Sequence, residues 1–461
     1  MEPIKGEWFL ADNQETKIPG ILTIDEINST ISLQLFSEKR IIQDFKHKLL
    51  IGHSIKSNIT ILNCVPTNEE PISKNLTLSK FSPHFVFIGC QFNAEDDIKL
   101  KKIKIEFNYF DQWLATDNET LFQIDIEDDG SFSTKYKSKK DIIVELNEQC
   151  ILSFERDCSI TGGHETPLRT DINYYANFSF KQHVPFVDFL NLIVKLQNLL
   201  MLFIGKPLSV KSRIGYSEKA IELKESHNSD LENYPIEIFN RNSIEDQNKT
   251  DYVHANEMLI CFKNFKTTEI VKFIQNWFSE YDKFEPVYDI FFHAIKPFWQ
   301  SGGFLMSNVN YNNAFLNIVQ SLESYHRIKY GISNINTEFN ITKNRIKQAA
   351  TCLSREDKAW IDKNAKPRGK KEVYLIERIE ELIKNKNIFD YLFDNENDIA
   401  KNLVKWRDSL THINHSRSTD VQVRNWFYKA QIILIVNIFI DLGLEEEQIK
   451  KIISSSRLFY K

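Results

Sequence analysis

Apolar and polar residues alternate in short runs over the first third of the chain. "GILTID" (20–25) and "ISLQLF" (31–36) begin the series, with Ile31, Leu33 and Leu35 on one face. "NITILNC", "HFVFIGCQF", "KIKIEFNYF", "SFSTKYK", "DIIVELN" and "CILSFERD" follow. Stretches with turn chemistry, "TNEEP" (67–71) and "EDDGS" (127–131), separate some of them. Many short runs of period two at near-regular spacing predict an antiparallel β-sandwich or barrel over residues 1–157. Over 158–285 the pattern mixes. "NYYANFSF" reads as one more strand, and "PFVDFLNLIVKLQNLLMLFIG" (185–205) as a long apolar helix. "SEKAIELKESHNSDLENYPIEIF" (217–239) reads as a polar loop. Helical spacing then resumes through Ile270, Phe273, Ile274, Trp277 and Phe278.

From 286 to 461 the period is helical almost throughout. Phe315, Ile318, Val319, Leu322 and Tyr325 form one stripe, ended by Gly331. Leu375, Ile376, Ile379, Leu382 and Ile383 form another. Residues 398–413 and the strongly apolar "DVQVRNWFYKAQIILIVNIFIDLG" (420–443) complete a bundle. The expected architecture is α+β and multidomain: a β-rich region at 1–157, a mixed region at 158–285 and an all-α bundle at 286–461.

Composition adds four constraints. The apolar stretch at 185–205 is interrupted by Asp188, Asn191, Lys195, Gln197 and Asn198, a polar load that suits a buried helix better than a membrane span. The opening "MEPIKGEWFLADNQETK" turns polar too early for a secretory leader. Six scattered cysteines without a C-x-x-C pair suit buried thiols in a reducing compartment. A cytoplasmic location without membrane attachment is therefore expected. The net charge of −5 is uneven: residues 301–461 carry 25 Lys and Arg against 19 Asp and Glu, and the rest of the chain is acidic. A basic C-terminal region permits a polyanionic partner without demanding one.

The stretch "WRDSLTHINHS" (406–416) carries the sharpest chemistry. Arg407 offers a permanent forked donor set for phosphate oxygens, and His412 suits proton transfer near neutral pH. Together they supply what RNA cleavage by its own 2′-hydroxyl needs, with no metal and no cofactor. Spacing alone is ambiguous. Five positions along one straight helix rotate about 500°, so the two side chains diverge by about 140°. Asp408 and His412 share a face better. The pair could equally be two polar residues on a wet helix face.

The motif resembles that of the HEPN superfamily, R-x4-6-H on a late helix of an all-α bundle. More closely, the chain resembles ApeA-type anti-phage HEPN proteins. "NNAFLNIVQSLESYHR" (312–327) is similar to their first HEPN helix and "WRDSLTHINH" (406–415) to their catalytic segment. "GEWFLADNQ" and "FNYFDQWL" (107–114) are similar, less specifically, to their N-terminal domain. The resemblance implies a metal-independent endoribonuclease that halts phage growth by abortive infection, cleaving cellular RNA such as tRNA. It implies a homodimer or higher homo-oligomer, a phage-derived trigger and an N-terminal region that senses or restrains. Arg407 would stabilise the phosphate and His412 would act as general acid and base. Asp408 stands where the family usually has Asn and would orient either residue or cap the helix.

Other candidates are weaker. Glu323 and His326 form an E-x-x-H, half of a di-iron pattern with no second copy. They are a polar helix-edge pair or support for the Arg407/His412 site. Asn414 and His415 lie close enough in sequence to contribute, although no third ligand accompanies the histidines for zinc. Lys363, Lys366, Arg368, Lys370 and Lys371 cluster in a basic loop, either solvated or tracking RNA phosphates. "SGG" (301–303) is a turn that lacks the rest of a phosphate-binding loop, and "GGHE" (162–165), without a partner motif, reads as a loop. The alternative function is a non-catalytic RNA- or nucleotide-binding regulator or interaction module.

Overall fold

A computed structural model describes residues 1–25, 30–46, 48–115, 122–126, 132–136, 141–163, 166–220, 234–241, 252–300, 310–331, 343–348, 353–364, 373–394, 396–411, 420–456 and 458–459. They form two compact units, Met1–Phe278 and Ser279–Lys461.

The first unit is built on β1 (Ile4–Leu10), β2 (Asn13–Asp25), β3 (Thr30–Ser37), β4 (Leu50–Ser54), β5 (Asn58–Ser73) and β6 (Leu76–Ile88). All neighbouring pairs are antiparallel, in the order β6-β3-β2-β1-β4-β5, and β5 pairs back onto β6. That last pairing closes a six-stranded barrel, which leaves no free edge. Alternation explains the interior: Ile31, Leu33 and Leu35 of β3 are buried and their neighbours are not. Trp8 is fully buried in this core. Its indole fits because Gly20 and Gly52 lack side chains. A Cβ on Gly52 would lie 2.3 Å from Trp8 Cζ3, and one on Gly20 would lie 2.8 Å from Cδ1.

"TNEEP" is not a turn. It lies within β5, and the reversal is at Lys74 and Asn75. Pairing shifts between Pro66 and Asn68 and between Pro71 and Ser73 accommodate the two prolines. Glu69 points back to accept from the backbone N–H groups of Ile41 and Ile42 and from Ser79 Oγ.

The sheet continues from β6 through β14 (Pro235–Asn240), β13 (Val210–Tyr216), β7 (Lys99–Phe107), β12 (Thr166–Pro185) and β11 (Cys150–Gly163) to β10 (Ile142–Glu145). A separate hairpin pairs β8 (Phe122–Ile126) with β9 (Phe132–Tyr136). "EDDGS" lies outside the described residues. Two corrections follow. The boundary expected at 157/158 falls inside β11, so the following strands extend the first sheet instead of starting a middle region. The segment read as a loop to residue 239 ends in β14, where Ile236 and Ile238 are buried in period two. Helix α1 (Ile42–Phe45) is one turn, and α2 (Phe110–Leu114) and α3 (Phe186–Ile204) pack on β7 and β12. Gly205 ends α3 with φ of +75°. Trp113 Nε1 donates to Ile260 O at 2.9 Å, and Trp277 Nε1 to Lys195 O at 2.9 Å.

The second unit is helical, from within α4 (Thr267–Gln300) through α5 (Tyr311–Tyr330), α6 (Arg355–Asn364), α7 (Leu375–Leu382), α8 (Lys386–Leu392), α9 (Ile399–Thr411) and α10 (Asp420–Leu442) to α11 (Glu446–Ser455). α5 is capped by the Asn310 side chain and ends at Gly331, φ +77°. Its predicted stripe is buried, packs along α10, and stacks Tyr325 on Phe284 at 4.9 Å between ring centres. From Ala430 to Phe439 every residue of α10 is buried, which makes it the central helix of this unit. By length and hydropathy Phe186–Ile204 and Gln422–Leu442 could each cross a membrane; 56% and 78% of those windows are buried inside the protein, as in core helices.

Candidate functional site

α9 carries Arg407. The helix buries Ile399, Ala400 and Leu403 against α5 and α7. Arg407 continues that stripe one turn past Leu403, where it reaches the surface: its side chain is 41% exposed. Arg407 Nη1 donates to Asp408 Oδ1 at 2.9 Å. Thr411 Oγ1 donates to the carbonyls of Arg407 and Asp408, both at 3.1 Å, and the described helix stops there. Asp408 thus holds Arg407 rather than capping the helix start. The pair is exposed, so an incoming phosphate can compete for the guanidinium without a large desolvation barrier.

His412, Asn414 and His415 lie outside the described residues. So do Lys366, Arg368, Lys370 and Lys371. Lys363 falls in the last turn of α6, so that helix takes the first residues expected in the basic loop.

Glu323 and His326 sit on α5 but turn to different partners. Glu323 Oε1 accepts from Arg327 Nη2 at 2.8 Å. His326 is buried between α5 and α7, its Nε2 2.8 Å from Glu381 Oε2 and its Nδ1 3.1 Å from Arg378 Nη1. A guanidinium only donates, so Nδ1 accepts and Nε2–H donates to Glu381. Burial pushes the imidazole pKa down; the hydrogen bond to Glu381 opposes that, and the charge of Arg378 adds to it. His326 is therefore a neutral imidazole with both nitrogens engaged, tying α5 to α7. Among the described residues no group of three or more His, Cys, Asp or Glu is placed to hold a metal ion.

The sequence reading missed Arg378 and Glu381. Arg378 is fully buried and also donates from Nε to Val373 O at 3.1 Å. Its signal was available, because it stands on the stripe of Leu375, Ile379 and Leu382, where an apolar residue belongs. A second network holds α5 to α10. Tyr325 OH donates to Asp441 and lies 3.2 Å from Asn437 O, and Lys329 Nζ meets Asp441 Oδ1 at 2.5 Å. Burial, then the Asp441 charge, drives the Tyr325 phenol far up from its usual pKa.

Comparison with known families supplies the context for this geometry. The profile described as ApeA N-terminal domain 1 matches residues 3–277, and that described as Apea-like HEPN matches residues 316–448. The first match spans the closed barrel and its extended sheet. The second spans α5 to the start of α11 and includes Arg407 and His412. No curated protein and no solved structure matches the chain significantly. With well over half of its length matched by two domains of one family, the chain belongs to the ApeA-type HEPN proteins.

Proposed function

We propose that the helical unit is an endoribonuclease of anti-phage defence, acting on cellular RNA in the cytoplasm, with tRNA as a target class. The observation that carries this reading is the HEPN match over 316–448, a family typically of RNases, which encloses Arg407 and His412. In the proposed step the ribose 2′-hydroxyl attacks the adjacent phosphorus. Its proton passes to one His412 imidazole, and the 5′-oxygen leaves with a proton from an imidazolium. Arg407 balances the added negative charge on the phosphorane oxygens. The products are a 2′,3′-cyclic phosphate and a 5′-hydroxyl, and neither step requires a metal.

Two features support roles for both residues. Arg407 is partly exposed on α9 and held by a neighbouring carboxylate. His412 follows Thr411 directly in the sequence and lies within the same HEPN match. One helix does not aim both groups at one phosphate, so we place the site where two copies of this segment meet in a homodimer or larger assembly. The N-terminal unit restrains it until a phage-derived trigger binds.

The test is cleavage of RNA by purified protein in EDTA, with end-group analysis of the products. Cyclic phosphate ends that vanish in both Arg407→Ala and His412→Ala support the proposal. Cleavage surviving both substitutions refutes it. RNA retarded on a gel but uncut by the wild type returns the chain to the binding-module reading.

A further inference from the structure

Among the described residues two arginines are buried, and their surroundings differ. Arg378, in the helical unit, finds Val373 O and His326 Nδ1. Arg213, in the N-terminal unit, has no such arrangement. Register places it on β13 opposite Ile105 of β7, on the inward face of the sheet. The same cross-strand row runs from Phe154 through Ala176 to Ile105 on one side. Ile238 and its partner Phe87 continue it on the other. Those five residues are at most 3% exposed, and Arg213 is 9% exposed. A permanent cation with five N–H donors therefore stands in a row of hydrocarbon. Its Nε is buried without a hydrogen-bond partner among the described residues. Burial draws its pKa down to about 10, and no carboxylate acts against that shift.

A buried charge is strongly unfavourable unless it is paired and hydrogen-bonded. An apolar residue in this row would match its neighbours and avoid that penalty. A guanidinium here makes physical sense if an anion comes to it. The planar fork suits the oxygens of a carboxylate or phosphate, and low local dielectric strengthens the contact.

We propose that Arg213 anchors an oxyanion-binding site on the inward face of the N-terminal sheet, taking the phosphate or carboxylate of a small ligand. Filling the site stabilises that unit. The site is independent of RNA cleavage and stands or falls separately from it.

The test is thermal unfolding of the full chain in sodium phosphate, sodium acetate and sodium chloride at equal ionic strength and pH. The wild type should melt higher in phosphate or in acetate than in chloride, by about 3–5 °C at ten times the dissociation constant. The salt that acts identifies the anion. Arg213→Met should lose that difference and melt in chloride at or above the wild type. Arg213→Lys keeps the charge without the fork and should give a smaller difference; it decides the matter if Arg213→Met does not fold. No anion dependence in the wild type overturns the proposal. So does an equal dependence in the wild type and Arg213→Lys, which marks an adventitious ion only.

Discussion

Replacing His326 with Phe tests the buried tie between α5 and α7. The imidazole accepts from Arg378 Nη1 at 3.1 Å and donates to Glu381 Oε2 at 2.8 Å. Phe fills similar space and offers neither contact. Glu381 is 42% exposed and can rehydrate. Arg378 is fully buried and keeps its bond to Val373 O. A lost hydrogen bond to a charged group removes about 1.5–3 kcal/mol, and a stranded buried charge raises the loss toward about 3–5 kcal/mol. With one partner rehydrated and the other half-retained, the expected loss is about 2–4 kcal/mol. For a unit of this size that lowers the melting temperature by roughly 5–12 °C. Circular dichroism at 222 nm measures it at pH 7.5, and hydrogen–deuterium exchange over 375–382 locates it.

The same histidine gives a pH signature with a definite sign. Its pKa in the folded protein lies below the ordinary value, so the fold holds it neutral. As pH falls below about 6.5, the unfolded chain takes up a proton that the folded chain refuses. The contribution is thus complete above that pH and is lost as pH falls toward the folded pKa, with a limiting slope of about 1.4 kcal/mol per pH unit. Wild type should therefore lose stability faster than His326→Phe between pH 7 and 5. Equal slopes, or a variant within about 0.5 kcal/mol of wild type at pH 7.5, would refute the neutral, doubly bonded histidine.

Three further outcomes follow from the same structure. Arg407→Ala should leave stability within about 0.5 kcal/mol, because its pairing with Asp408 is solvent-exposed, so lost cleavage in that variant would not reflect unfolding; thermal melts check this. Gly52→Ala places a Cβ 2.3 Å from the Trp8 ring and should cost about 3 kcal/mol or more, read by urea denaturation of the barrel with Trp fluorescence. Native alkylation with iodoacetamide at pH 8 should spare Cys64 and Cys150, whose thiols burial pushes up, Cys150 to about 12; mass spectrometry of the labelled peptides reads the result.

Elements were legible where one face alone meets the core. β3 announces itself through Ile31, Leu33 and Leu35, and α5 through Phe315, Ile318, Leu322 and Tyr325, because burial imposes the period of the element on its sequence. Closure of the barrel was not legible. It depends on β5 pairing with β6 over its whole length, through Pro66, "TNEEP" and Pro71, which local chemistry reads as a break. β14 was hidden for a related reason: its two buried isoleucines are too few to outweigh the polar residues before them. Arg407 and His412 are proposed from a short motif whose meaning lies in family membership, since spacing on one straight helix argues against convergence. The partners of His326 lie 52 and 55 residues away, beyond any local pattern.

What a sequence can still expose is a residue that breaks its own element's rule. Arg378 occupies a core position of an α7 stripe, and Arg213 occupies a core position of a β13 face. The pattern flags both equally. Only the fold separates them, by supplying a neutral histidine to one and a row of hydrocarbon to the other. A broken rule that the fold answers from within marks a structural tie. A broken rule left unanswered directs attention to a ligand, and that distinction is what separates Arg213 from Arg378.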